Sequence, residues 1–179
     1  GAAVEAPGAQ PRRGRAQRDD LGVGGRVVGR LALVAAEPDD LADRLARTRL
    51  PRLIEYLTEQ QPDIAVLQEI KTMDEGFPHA EFTAIGYHAI WHGQKSFNGV
   101  AILTRGEPAV ETRRGLPLLN GDEPDEQSRY LEADAFGIRI GCLYLPNGNP
   151  QPGPKFDYKL SWMRRLRAHG KALLTREEP

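Results

Sequence analysis

The sequence predicts an α/β fold in which a sheet is covered by helices. Three observations carry that prediction. Leu50, Leu53, Ile54 and Leu57 recur at i, i+3, i+4 and i+7, and this helical stripe feeds directly into the run Asp63 to Glu69, whose Ile64 to Leu67 are apolar at every position. A strand that is apolar on both faces lies between two covering layers. Two pairs of strand-like segments, each pair separated by a polar or glycine-containing connection, then read as hairpins, and a long amphipathic stretch closes the chain.

The elements follow in order. The first helix is expected from Pro38 onward, with Pro51 at a kink or in an early turn, and Gln60-Gln61-Pro62 stops it. Tyr87 to Trp91 and Val100 to Thr104 flank the polar loop "HGQKSFNG". Tyr130 to Ala135 and Ile138 to Leu145 flank the short turn Phe136-Gly137. The stretch "NGDEPDEQSR" between the hairpins is a loop by composition, and "LPNGNPQPGP" forbids regular structure. Phe156, Leu160, Met163, Leu166, Gly170 and Leu173 make the expected packed face of the closing helix, with Arg164, Arg165 and Arg167 on its solvated side.

The first 30 residues stand apart. They hold seven Gly, six Arg and five Ala, and no Phe, Tyr or Trp. Such a stretch buries too little apolar surface to offset its ordering entropy and is expected to be a disordered, solvated basic tail. Its "LGVGGRVVGR" lacks the Lys-Ser/Thr of a phosphate-cradling loop. With 179 residues, 40% hydrophobic and 27% charged, the chain has enough for one domain with a core. A net charge of −1 gives no global basic signal for nucleic acid, and it leaves room for a local basic surface. The single cysteine, Cys142, forms no internal disulfide, and no Cys/His metal spacing occurs. The early apolar run Leu31 to Ala36 is too short for a membrane span, so the expected location is cytoplasmic.

Several residues carry possible chemistry. Glu69, in the row of Ala65 and Leu67, puts a carboxylate at the end of a buried strand, where ligands of open α/β sheets gather. A lone carboxylate there suits Mg²⁺, which keeps most of its waters; the bland alternative is a residue just past the strand, in water. Lys71, expected on the same face, is a phosphate-binding or ordinary surface lysine. Tyr144 is a core residue or, beside Pro146-Asn147-Gly148, a hydroxyl within reach of substrate. Phe97 and Asn98 lie at the tip of a polar loop, where an aromatic either stacks on nucleic acid or tucks against its own hairpin. His79, His88, His92 and His169 show no metal spacing and are expected at the surface or satisfied in the core.

Together, "LPRLIEYLTEQQPDIAVLQEIK", "FNGVAILTR" and "DEQSRYLEADAFGIRIGCLYLPNG" resemble the exonuclease III type of abasic-site endonuclease, of the endonuclease/exonuclease/phosphatase superfamily. The resemblance runs from about Arg47 to Pro179. It implies a two-sheet β-sandwich with flanking helices, of which this chain is part. It implies hydrolysis of phosphodiester bonds at abasic sites and trimming of 3′ ends. It also implies a Mg²⁺ cofactor, or Mn²⁺ in its place, bound by Glu69. Tyr144 and Asn147 would be catalytic, at the attacked phosphate. Lys71, Phe97, Asn98, Gln127 and Arg129 would lie at the DNA surface. The partner would be double-stranded DNA with abasic sites or 3′ ends, with no membrane involved, and the complete protein would be a monomer. A small-molecule phosphatase of the same superfamily and a non-catalytic DNA-binding remnant are the competing readings.

Two departures temper that resemblance. The superfamily pattern opens with a strand ending in T-W-N, but that asparagine would fall at Ala42, and no asparagine precedes Asn98. The downstream G-D-x-N motif and aspartate-histidine pair are not found either, so the base that activates water is missing. The expected organisation is a disordered or non-native head over residues 1–37. Residues 38–179 form the N-terminal part of an exonuclease III-like domain, incomplete and inactive as it stands.

Overall fold

The computed structural model describes residues 21–23, 26–28, 31–34 and 49–175. The position equivalent to the superfamily asparagine, Ala42, and the helix start at Pro38 lie outside them. Strands β1 (Leu21–Val23) and β2 (Arg26–Val28) pair antiparallel with each other. The following strand, β3 (Leu31–Val34), lies beyond the 30 residues that composition sets apart but within the head expected over residues 1–37, and it pairs parallel with the strand of the "DIAVLQEIK" motif.

Helix α1 (Leu50–Gln60) leads into that strand, β4 (Ile64–Gln68). Pro51 occupies its first turn, where a missing N–H costs nothing, and Gln61 at φ 46° ends it in the left-handed region. Next come a short helix α2 (His79–Ala84) and the two strands of the first hairpin, β5 (Tyr87–His92) and β6 (Val100–Arg105). Strand β7 (Val110–Arg114) precedes the second hairpin, β8 (Tyr130–Ala135) and β9 (Ile138–Leu143). The closing helix α3 spans Pro154–Leu174. Both predicted hairpins form. Phe136 at φ 52° and Gly137 at φ 80° make the two-residue turn between β8 and β9, as a tight antiparallel connection demands.

The strands make a four-stranded mixed sheet, β3-β4-β6-β5, and a three-stranded antiparallel sheet, β7-β8-β9. Period-two alternation along β4 assigns its apolar residues to two different layers. Ala65 and Leu67 face α1 and α2 and pack with Leu53, Leu57, Phe77, Phe82 and Leu103. Ile64 and Val66 face the second sheet and pack with Val100, Ile102, Leu131, Ala133 and Cys142. Outside the second sheet, Tyr130 and Leu116 pack against Trp162 of α3. The layers therefore run helices, sheet, sheet, helix: a β-sandwich flanked by helices. At about 25 cal/mol per Å² of apolar surface, the inter-sheet cluster alone stabilises the pairing of the sheets by several kcal/mol.

The closing helix turns a different face inward from the one its apolar spacing predicts. Trp162, Arg165 and His169 are its buried residues, whereas Leu160 and Met163 are 50% and 45% exposed. Arg165 is buried because the loop before β8 brings carboxylates to it. Its guanidinium donates to Asp125 at 2.5 Å, with Asp122 at 4.0 Å, so the charge is neutralised inside. His169 is a satisfied core histidine, 2.6 Å from Glu132. Two further elements have no clear signal in the sequence. Strand β7 is mostly exposed, with Glu and Arg where a half-buried strand shows apolar residues, and α2 is only six residues long.

Candidate active site and nucleic-acid surface

The pleat that buries Ile64 to Leu67 ends at Gln68, which still faces the second sheet and donates its amide to the Leu143 carbonyl of β9 at 2.5 Å. The alternation then breaks. Glu69 adopts φ 55° and Lys71 φ 51°, left-handed conformations that cost a non-glycine residue about 1 kcal/mol or more each. Ile70, between them, takes the place under the helices that continued alternation would have given Glu69. Glu69 accordingly leaves the row of Ala65 and Leu67, contrary to the simple strand reading, and reaches toward β9. There it accepts a hydrogen bond from the Tyr144 hydroxyl. Its other oxygen is 3.3 Å from Lys71 Nζ, with the carboxylate 15% exposed.

Two backbone bonds hold this turn. Ile70 N donates to Gly99 O at 3.2 Å and Lys71 N to Asn98 O at 3.0 Å, so the loop after β5 is laced to the residues that follow β4. Gly99 allows that approach: at φ 83° a Cβ there would meet Ile70 Cγ1 at 2.4 Å.

Tyr144 follows directly on β9. Its ring packs against the inter-sheet cluster, and its backbone N–H donates to Arg129 O at 2.8 Å. The Arg129 guanidinium lies 5.0 Å from the ring centroid and donates Nη1 to the Tyr144 carbonyl at 3.3 Å. Burial, together with the adjacent Glu69 carboxylate, pushes the Tyr144 phenol up to about 12 against the opposing charge of Arg129, so at neutral pH it is a hydrogen-bond donor. Arg129 Nε also donates to Gln127 Oε1 at 2.7 Å. The Tyr144 ring packs with the core, and its hydroxyl is turned to the Glu69 carboxylate.

The structure thus brings Glu69, Lys71, Tyr144, Arg129, Gln127 and Asn98 into one connected network. Phe97 stands beside it, 68% exposed, as the loop-tip reading predicts. Asn98 differs from the sequence expectation. It is only 7% exposed, and its amide points inward to Gln94 Oε1 at 2.8 Å and Gln127 Oε1 at 3.5 Å. Asn147 is exposed on the following loop, where it accepts from Asn149 Nδ2 at 2.7 Å and is not bonded to Glu69 or Tyr144. Sequence reasoning missed Gln94 and Ser128. Ser128 donates Oγ to Gly93 O at 2.7 Å, and its N–H donates to Gln94 Oε1 at 3.0 Å. Neutral amides and hydroxyls that bond to a distant loop leave no periodic trace in the sequence.

The donor set meets the needs of a metal ion only in part. Among the described residues no group of three or more His, Cys, Asp or Glu side chains is arranged to hold one. Glu69 offers a hard, largely buried carboxylate, which fits a magnesium-like ion that retains its waters and takes one protein oxygen. Lys71 competes for that oxygen.

The family model described as Endonuclease/Exonuclease/phosphatase family matches residues 29–179. The chain belongs to that family. The exodeoxyribonuclease III of Haemophilus influenzae is 43% identical over 102 residues, covering 57% of this chain and 36% of that protein. The structure of the 3′ phosphatase NExo from Neisseria, bound to product DNA hairpin, matches at TM-score 0.65 and 38% identity, covering 73% of this chain and 49% of that one. An AP endonuclease from Archaeoglobus fulgidus matches at TM-score 0.61 and 38% identity, over 67% of this chain and 45% of that one. The chain spans about half, or less, of the length of these relatives. The family match begins at residue 29 and so takes in strand β3. Among the described residues no helix is long and apolar enough to cross a membrane.

Proposed function

We propose that this chain forms the metal-binding and DNA-facing part of an exonuclease III-type nuclease acting at abasic sites and 3′ ends of duplex DNA. The observation that carries the reading is the convergence of Glu69, Lys71 and Tyr144 from two sheets at one point, beside a loop that exposes Phe97. Glu69 would hold Mg²⁺, or Mn²⁺ in its place; such an ion would supply positive charge to offset the negative charge that develops on the phosphate oxygens. The Tyr144 hydroxyl, kept protonated, donates to a phosphate oxygen, and Asn147 on the next loop steadies the same phosphate. Lys71 supplies a point charge to the backbone. Phe97 stacks where the absent base leaves a gap, and the abasic nucleotide turns out of the duplex at less cost than a stacked one. Among the described residues no group of three or more His, Cys, Asp or Glu side chains is arranged to hold a metal, so binding without turnover is the expected behaviour of Glu69, Lys71 and Tyr144 alone.

The test is nicking and binding of a duplex with one abasic site, across a Mg²⁺ titration. Metal-enhanced binding that prefers the abasic duplex over an intact one, without nicking, is the expected result. Robust nicking would overturn the view that the base is missing. Equal affinity for both duplexes would remove the abasic-site assignment.

A further inference from the structure

The loop between β5 and β6 is organised around a side chain that the DNA-facing reading leaves without a role, Gln94. It is half-buried. Its carbonyl oxygen accepts twice, from Asn98 Nδ2 at 2.8 Å and from Ser128 N at 3.0 Å. One oxygen thus ties the base of its own loop to the segment that carries Gln127 and Arg129. That junction continues in both directions. Gly99 N donates to Ser128 O at 2.9 Å, and Ser128 Oγ to Gly93 O at 2.7 Å. Asn98 also reaches Gln127 Oε1 at 3.5 Å, and the same oxygen accepts from Arg129 Nε at 2.7 Å, whose guanidinium sits on the Tyr144 ring.

The loop needs such an anchor. Ser96 at φ 66° and Asn98 at φ 51° are both in the left-handed region, the second with a buried side chain. Two strained residues flank Phe97, whose ring, 68% exposed, packs too little to hold the loop itself. Conformations of this kind persist only where surrounding bonds over-determine them.

We propose that Gln94 is a positioning residue: through Asn98 and Ser128 it fixes the direction in which Phe97 is presented relative to the Tyr144–Glu69 pair, and so sets discrimination between abasic and intact duplex. This rests on the proposed function above. Asn98 is then an internal strut and makes no contact with DNA.

The experiment uses the full chain in five forms: wild type, Gln94→Ala, Phe97→Ala, the double variant, and Gln94→Glu as the conservative control. Two measurements are made. Amide hydrogen exchange reads the anchor without DNA. In Gln94→Ala the Gly99 and Lys71 amides exchange at least about tenfold faster, the loss of a net hydrogen bond, while Ile102 in the middle of β6 is unchanged. Gln94→Glu, which keeps the acceptor oxygen, stays near wild type. Binding to abasic and intact duplexes reads the function. Gln94→Ala and Phe97→Ala each lower the preference for the abasic duplex about threefold to tenfold, and the double variant falls no further than Phe97→Ala, because one acts through the other. Unchanged exchange in Gln94→Ala overturns the anchor. Additive losses of preference in the double variant overturn action through Phe97. Altered exchange with no abasic preference in the wild type overturns the functional reading, and the discriminating role with it, while leaving the anchor established.

Discussion

Tyr144 and Glu69, 75 residues apart in the chain, share a hydrogen bond from phenol to carboxylate that joins the ends of the two sheets. Glu69 would not be there if β4 simply continued, whereas Tyr144 keeps the face of Ile140 and Cys142. Glu69 is turned out of β4 by a left-handed residue, and Tyr144 is the first residue beyond β9. The pair is therefore a product of how two strands end, and its strain is consistent with a binding role, since well-packed structural positions rarely retain such backbone.

Replacing Glu69 with Gln separates metal binding from structure. The amide oxygen still accepts from Tyr144, and the lost ion pair with Lys71 is partly exposed, at 25% and 15%. Exposed and partly exposed pairs contribute about 1 kcal/mol or less, so stability in urea should change by no more than that. Binding of Mn²⁺, followed by electron paramagnetic resonance, should be lost. Equal Mn²⁺ binding by both forms would take Glu69 out of the metal site.

Phe97→Ala should leave the urea midpoint unchanged, because a ring that is 68% exposed has little transfer free energy to lose. Affinity for an abasic duplex should fall about threefold to tenfold, in line with the loss of one aromatic contact to nucleic acid. A large fall in stability with unchanged binding would mean that the ring packs against its own protein in solution.

Much of the fold was legible because apolar residues report their surroundings directly. Ile64 to Leu67 are apolar on both faces and do face two cores. Phe136-Gly137 does make the tight turn. Glu69, Lys71 and Tyr144 stand out by their places at strand ends, Gln127 and Arg129 only by motif resemblance, and the five are found joined. What was not legible depends on partners far away in sequence. Arg165 looks like a surface arginine until Asp125, 40 residues earlier, is placed on it. Asn98 looks like a loop tip until Gln94 turns its amide inward. The shift of Glu69 off its row came from backbone torsions that residue type alone does not set.

Neighbouring arginines on α3 should differ sharply. Arg164 is 61% exposed beside Asp122, whereas Arg165 is 3% exposed and paired with Asp125. Asp125→Ala leaves a buried guanidinium without its main partner and should destabilise the chain by about 3 kcal/mol, the typical cost of breaking a buried pair. Arg164→Ala should cost about 0.5 kcal/mol or less. Urea unfolding monitored by tryptophan fluorescence reads both, since Trp162 sits on the same helix. Equal effects would show that Arg165 is solvated.

Acid sensitivity should be concentrated at Glu132. Burial pushes its carboxyl up, but hydrogen bonds from His169, Tyr130 and Thr112, at 2.6, 2.8 and 3.0 Å, outweigh that and hold it below the ordinary value of 4.5. The Arg139 guanidinium lies 3.8 Å away. The sign follows from which state binds the proton. A carboxyl held low in the folded chain stays ionised there while its unfolded counterpart already takes up a proton. Its stabilisation is therefore complete above 4.5 and is lost as pH falls through the lower folded value. Glu132→Gln has no carboxyl to titrate, and its one amide oxygen accepts from Thr112 or from Tyr130 but not from both, since the two donate to different oxygens of Glu132. The variant should be less stable than wild type at neutral pH, because a charge-assisted bond to His169 is weakened, and the two should converge as the pH is lowered below 4.5. Urea midpoints of both forms between pH 7 and about pH 3 decide it. Parallel curves across that range would show that Glu132 does not titrate on unfolding and that the acid response arises elsewhere.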